Sequence, residues 1–281
     1  RSQRESNAWI HVLDDAEVAP YVESLTNKRP EDCPLWGIPF AIKDNIDLAG
    51  IPTTAACPEF AYTPEKSAFV VQRLIDAGAI PLGKTNLDQF ATGLVGTRSP
   101  YGEVPNAIVP SYVSGGSSSG SAWAVAKGQV CFALGTDTAG SGRVPAAFNG
   151  LVGIKPTKGR LSIDGVVPAC KSLDCITFFA HEVSEAKVLL DIASAVNPKD
   201  PFSRLARFSK GLPGAGLRLG IPRPEQLQFF GNDEYATCFA IACDNLRAVG
   251  VELIEIDFAP FLATAKLLYQ GPWVAERYAA V

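Results

Sequence analysis

The sequence predicts an α/β fold, and three observations carry that prediction. Segments with helical periodicity alternate with short apolar runs of strand length. The chain has 281 residues, 47% hydrophobic and 19% charged, the balance of a soluble globular protein with ample material for a core. No internal repeat interrupts the alternation. On the usual scale of about 150 residues per domain, the length suits one large domain or two small ones.

The elements follow in chain order. Residues 6–24 read as a helix, with Trp9, Val12 and Leu13 as its apolar stripe. LWGIPFAIKDN (35–45) holds a short apolar strand ending at Lys43, Asp44 and Asn45. Residues 50–64 are rich in Pro and Thr and read as loop. Ser67 suits the N-cap of a helix to Ala77, with Val70, Val71, Leu74 and Ile75 buried and Gly78 closing it. Residues 79–83 form a short strand, and 86–93 a short helix. The loop 96–114 leads into SGGSSSGSA (114–122) and an Ala-rich helix. QVCFALGTD (129–137) is a buried strand that breaks into TAGSGRVPAAF. A helix over 184–196, a strand over 217–222, a helix over 233–249, a strand over 251–258 and a helix from Pro260 to Leu268 complete the chain. Residues 198–216, with Pro and Gly at several points, are the one candidate linker.

Composition narrows the function. A net charge of −4 disfavours nucleic acid and anionic membranes as partners. No apolar run approaches the roughly 18–20 residues of a membrane span, and the N-terminus carries no signal-peptide pattern. The seven cysteines lack CxxC spacing; they read as reduced, mostly buried thiols of a cytoplasmic protein. There is no methionine, even at position 1, which predicts a processed or truncated segment. No His/Cys cluster has metal-ligand spacing, and no cofactor is implied. The two histidines, His11 and His181, lie near no Ser-rich or acidic motif, so a Ser-His-Asp triad is hard to build.

Three segments carry chemistry together, although each alone has an ordinary explanation. A run such as GGSSSGS is commonly a flexible linker. Here it sits mid-domain at a helix start, where its hydroxyls and N–H groups face the positive end of the helix. GTDTAGSGRVP (135–145) is a Gly-rich turn with one Ser141, able to present consecutive N–H groups to an oxyanion. Lys43 ends an apolar strand. Such a lysine commonly snorkels to solvent, but in a dry pocket its pKa falls and it can accept a proton. A fourth segment, GAIPLGKT (78–85), formally matches the phosphate-loop pattern. Its strand occupies the variable positions and Pro81 removes an N–H, which argues against nucleotide binding.

These blocks, with GLVGIKPT (150–157) after them, resemble the amidase-signature family in order and spacing. The resemblance implies a central mixed β-sheet flanked on both faces by α-helices, in a single domain over 1–281 that is incomplete at its C-terminal side. By position, Ser141 is implied as nucleophile, Ser117 as a bridging serine on a cis peptide bond, and Lys43 as base. The N–H groups of Thr138, Ala139, Gly140 and Ser141 are implied as the oxyanion hole. Ser118 and Ser119 support the network, and Asp137 and Arg143 fix the turn. Within the family, residues 85–102, 168–175 and 267–281, with Ala139, look like the allophanate hydrolase group. That resemblance implies urea degradation, with Tyr269 and Arg277 holding the substrate carboxylate, Gly93 adding a backbone contact, and urea carboxylase as a fused or separate partner. The family habit implies a homodimer. The alternatives are another amidase, a glutamine-hydrolysing component of a transfer-RNA amidotransferase, a nucleotide-binding protein using 78–85, or a silent scaffold.

Overall fold

A computed structural model describes residues 6–205 and 216–280. The chain divides into two compact units, Arg1–Ala206 with Glu276–Val281, and Arg207–Ala275. The division falls in the candidate linker, of which residues 206–215 lie outside the described residues.

The first unit is built on a six-stranded mixed sheet. Its strands are β1 (Trp9–Val12), β2 (Pro39–Lys43), β3 (Ile80–Thr85), β4 (Phe132–Asp137), β5 (Val152–Ile154) and β6 (Cys175–Ala180), in the order β1-β3-β2-β4-β6-β5. The central strands β3, β2 and β4 are parallel; β1, β6 and β5 join antiparallel. Strand alternation sorts the side chains. Phe40, Ile42, Leu134, Ile176 and Phe178 pack with Val70, Val71 and Leu74 of α2 (Phe69–Asp76) and Ala186, Leu189 and Leu190 of α5 (Val183–Ala193). Ala41, Ala133 and Phe179 pack on the other face with Ala122 and Val125 of α3 (Ser119–Ala126) and Ala146 of α4 (Arg143–Phe148). The sheet is therefore mixed and covered on both faces, as expected. The small residues of the second face let α3 approach closely, and Lys43 shares that face by alternation with Ala41.

Several elements differ from expectation. Residues 6–24 hold β1 and the shorter helix α1 (Asp15–Glu23), not one helix. Trp9–Val12 is claimed by pairing with β3, a long-range partner that local periodicity cannot register. The true helix start is Asp14, whose carboxylate caps Glu17 N while Glu17 reaches back to Asp14 N. Ser67 is not a cap; its hydroxyl accepts from Ala49 N, and α2 starts two residues later. Residues 86–93 form only one 3₁₀ turn, Gln89–Ala91, with Phe90 left-handed. β5, β6 and α4 were not anticipated. Lys84 lies inside β3 with its side chain fully buried, so 78–85 forms no phosphate cradle. All seven cysteines are free.

The second unit pairs β7 (Arg218–Pro222) with β8 (Glu252–Ile256) in parallel and holds α6 (Asp233–Ala248) and α7 (Ala259–Gln270). The chain ends in α8 (Trp273–Tyr278). Among the described residues no helix is long and apolar enough to cross a membrane.

Candidate active site

Lys43 is delivered by the end of β2 to a site with no solvent exposure. Its Nζ lies 2.7 Å from Ser117 Oγ and 2.8 Å from Thr136 Oγ1. Burial pulls its pKa from the ordinary lysine value of 10.5 to about 7, against the pull of the Asp88, Asp174 and Asp137 carboxylates. Its contacts are two hydroxyls rather than a carboxylate, so the neutral amine is well accommodated.

Ser117 follows a cis peptide bond to Gly116, just before α3. Its carbonyl accepts from Asp88 N at 3.1 Å. Gly116 has no room for a side chain, since a Cβ there would meet Asp88 Oδ2 at 2.3 Å. Ser118 clamps β4 to the start of α3: its hydroxyl donates to Thr136 O at 3.1 Å and accepts from Thr136 N at 3.3 Å. Ser118 N donates to Ser141 O at 3.2 Å. Ser119 turns away, its hydroxyl directed at Asn86 O at 3.5 Å.

Ser141 lies in the turn between β4 and α4 and is nearly buried. Its hydroxyl donates to Gly93 O at 3.4 Å. Asp137 stitches this turn. Its Oδ1 accepts from Gly140 N at 2.6 Å, and its Oδ2 from Gly142 N at 3.1 Å and Arg143 N at 3.2 Å. The Arg143 guanidinium adds bonds of 2.9 and 3.0 Å. Burial alone would raise the Asp137 pKa; the bonds from Arg143 and Gly140 outweigh it and hold the carboxyl below its ordinary value. The Gly140 N–H is thus already committed, in contrast to the expected set of four oxyanion donors. The N–H groups of Thr138, Ala139 and Ser141 make no hydrogen bond among the described residues. Thr138 is anchored through its hydroxyl to Asp174. Burial pushes the Asp174 carboxyl up, against the bonds it accepts from Thr138, Cys170 N and Ala169 N.

Of the expected substrate contacts, Arg277 Nη2 donates to Thr92 Oγ1 at 3.3 Å, one residue from Gly93. Gly93 cannot carry a Cβ, which would meet Asp88 Oδ2 at 2.5 Å. Tyr269 lies on α7 in the second unit. Sequence reasoning missed Thr136, Asn45 and Asp88. Asn45 Nδ2 donates to Thr136 Oγ1 at 3.3 Å and to Val167 O at 3.2 Å, backing the hydroxyl that faces Lys43. The available signal was their place beside the motif residues, in IKDN, GTD and NLDQF.

Comparisons with known proteins give the chain's relatives. The Amidase family model matches residues 1–281. The chain is 52% identical to the urea amidolyase of Saccharomyces cerevisiae over 277 residues, covering 98% of this chain and 15% of that protein. Among solved structures, Kluyveromyces lactis allophanate hydrolase superposes with a TM-score of 0.94 at 48% identity, over 98% of this chain and 45% of that one. The matching component of the Thermotoga maritima glutamyl-tRNA(Gln) amidotransferase gives a TM-score of 0.86 at 32% identity, over 99% of this chain and 60% of that one. The chain thus spans less than half the length of the urea amidolyase and the allophanate hydrolase it matches. A match along the whole chain, on a sheet that brings a buried lysine to a serine of the Gly/Ser run, makes this chain a member of the amidase family.

Proposed function

We propose that this chain is a serine amidohydrolase that cleaves allophanate in urea degradation, with Lys43, Ser117 and Ser141 as its catalytic relay. The observation that carries the reading is the 2.7 Å contact between the buried Lys43 amine and the Ser117 hydroxyl. Neutral Lys43 takes the Ser117 proton, and Ser117 takes the Ser141 proton as Ser141 Oγ attacks the amide carbonyl. The N–H groups of Thr138, Ala139 and Ser141 receive the oxyanion. The proton returns through Ser117 to the leaving nitrogen, ammonia departs, and water cleaves the acyl-enzyme. Carbon dioxide follows from the released carboxylated product.

The substrate reading is supported by the identity to urea amidolyase and the likeness to allophanate hydrolase. Arg277 supports it physically. Its guanidinium is tied to Thr92, beside the Gly93 carbonyl that accepts from Ser141 Oγ. A planar carboxylate suits a guanidinium held there. Gly93 joins it as a backbone contact. The single family model over residues 1–281 supports reading the chain as one amidase-signature domain. The protein acts in the cytoplasm as a homodimer, with urea carboxylase as its partner.

The second reading is glutamine hydrolysis in a transfer-RNA amidotransferase, favoured by relatives such as the glutamyl-tRNA(Gln) amidotransferase component of Acidobacterium capsulatum, 37% identical. Ammonia release from allophanate, malonamate, glutamine and a simple amide separates the two. Turnover of allophanate and its loss in Ser141→Ala are expected; turnover of glutamine without allophanate selects the second reading.

A further inference from the structure

A second lysine, Lys84, is as deeply buried as Lys43 and takes no part in the relay. It pairs with Ile42 across β2 and β3, so alternation puts it on the face of the sheet opposite Lys43. Its surroundings differ in kind. Nζ lies 3.1 Å from Asp44 Oδ1, with both side chains fully buried, and donates to Thr53 Oγ1 at 2.9 Å and Pro52 O at 3.3 Å. Thr53 and Pro52 take two donors of the ammonium, and Asp44 meets it as an ion pair. The other Asp44 oxygen accepts from Thr54 N at 3.0 Å and from the Thr54 hydroxyl. Thr53 passes the network on to Asp47, which Tyr62 also binds.

The pair therefore grips one loop, residues 52–56, from both ends of an ion pair. That loop reaches the active site. Phe90 N donates to Ala55 O at 2.9 Å, and Gln89 Nε2 to Ala56 O at 2.9 Å. The segment so held carries Asp88, whose N–H binds the Ser117 carbonyl, and Gly93, whose carbonyl accepts from Ser141 Oγ. The contact is strained on both sides. Ala55, Ala56, Phe90 and Ala91 are all left-handed, with φ of 50, 59, 51 and 53°. Non-glycine residues keep such angles only where surrounding contacts over-determine them.

We propose that Lys84 and Asp44 are positioning residues, whose buried ion pair holds the 52–56 loop and, through it, the 88–93 segment against Ser117 and Ser141. The inference rests on the relay reading above. Removing one partner leaves a bare buried charge, whereas removing both leaves an uncharged, similarly filled site. The decisive variant is therefore Lys84→Met with Asp44→Asn. Active sites are counted with a serine-directed fluorophosphonate, and kcat is expressed per counted site. The expected result is a loss of about ten- to a hundredfold per site, the cost of a misplaced reacting group, with the acid limb of the pH profile unmoved. A double variant with fewer active sites but wild-type kcat per site overturns the proposal, because the pair is then only structural. Should the double variant not fold, Thr54→Val decides. It removes one hydroxyl from Asp44 at equal volume, and about a fivefold loss is expected, one hydrogen bond's worth; wild-type kcat per site overturns the proposal. Ser141→Ala runs beside them. Activity there defeats the relay reading itself, whereas an inactive Ser141→Ala beside fully active pair variants defeats only the positioning role.

Discussion

A lysine can serve as a base only if something makes its charged form costly. For Lys43 that something is complete burial among hydroxyls, which outweighs the pull of three carboxylates. The consequence is visible in the pH profile. On the proposed relay the neutral amine is the active form, so kcat/KM should fall as pH drops through about 7, the midpoint set by Lys43 in the free enzyme. A profile flat from pH 5 to 8 would remove Lys43 as the base. On the proposed reading Arg277 lies at the other end of the substrate. Arg277→Ala should cost about 2–5 kcal/mol in kcat/KM for allophanate if its ion pair with substrate is desolvated. The same change should matter little for an uncharged amide, and equal losses on both would reassign the residue. Ser119, grouped by sequence with its neighbours, points elsewhere, because a helix turns successive side chains by about 100°.

The elements matter through the faces they present. β2 is apolar on one face, with Phe40 and Ile42 against α2 and α5, and carries Ala41 and Lys43 on the other, under α3. Helix α2 exists to cover the first face. Leu74→Ala should destabilise by about 2–5 kcal/mol, read as a lower denaturation midpoint with kcat per folded molecule preserved. Loss of kcat at unchanged stability would mean α2 shapes the site directly. The β4–α4 turn is held by Asp137 rather than by its glycines alone, since one carboxylate accepts from three backbone N–H groups and a guanidinium. Asp137→Ala should free the turn and cost about a hundredfold in kcat, the scale of a reacting group moved by about 1 Å. Wild-type kcat in that variant would show the turn to be self-supporting.

Across the whole molecule, burying an amine links folding to pH. The folded state binds the Lys43 proton only below about 7, whereas the unfolded chain holds it to the ordinary value of 10.5. Between those limits the unfolded state carries the extra proton, so this contribution to stability grows with pH, complete above the upper limit and gone below the lower. The melting temperature of wild type relative to Lys43→Met should therefore climb across that window. The comparison cancels the other titrating groups, and a constant difference would mean that Lys43 is charged in the fold.

The motifs around Lys43, Ser117 and Ser141 were legible in the linear chain because each is contiguous: a strand end, a Gly/Ser run and a Gly-rich turn. So were α2, β4 and the alternation that makes the fold α/β, because their signals are local periodicities. β1 was not legible, since Trp9–Val12 is a strand only by virtue of β3. Nor was the commitment of the Gly140 N–H to Asp137, or the pairing of Lys84 with Asp44, 40 positions away in sequence but 3.1 Å apart in space. Sequence by itself determined which groups were available for chemistry. Tertiary structure alone decided which of two buried lysines faces hydroxyls and which faces a carboxylate, because protonation depends on partners and exclusion of water, and both are set by the packing of distant segments.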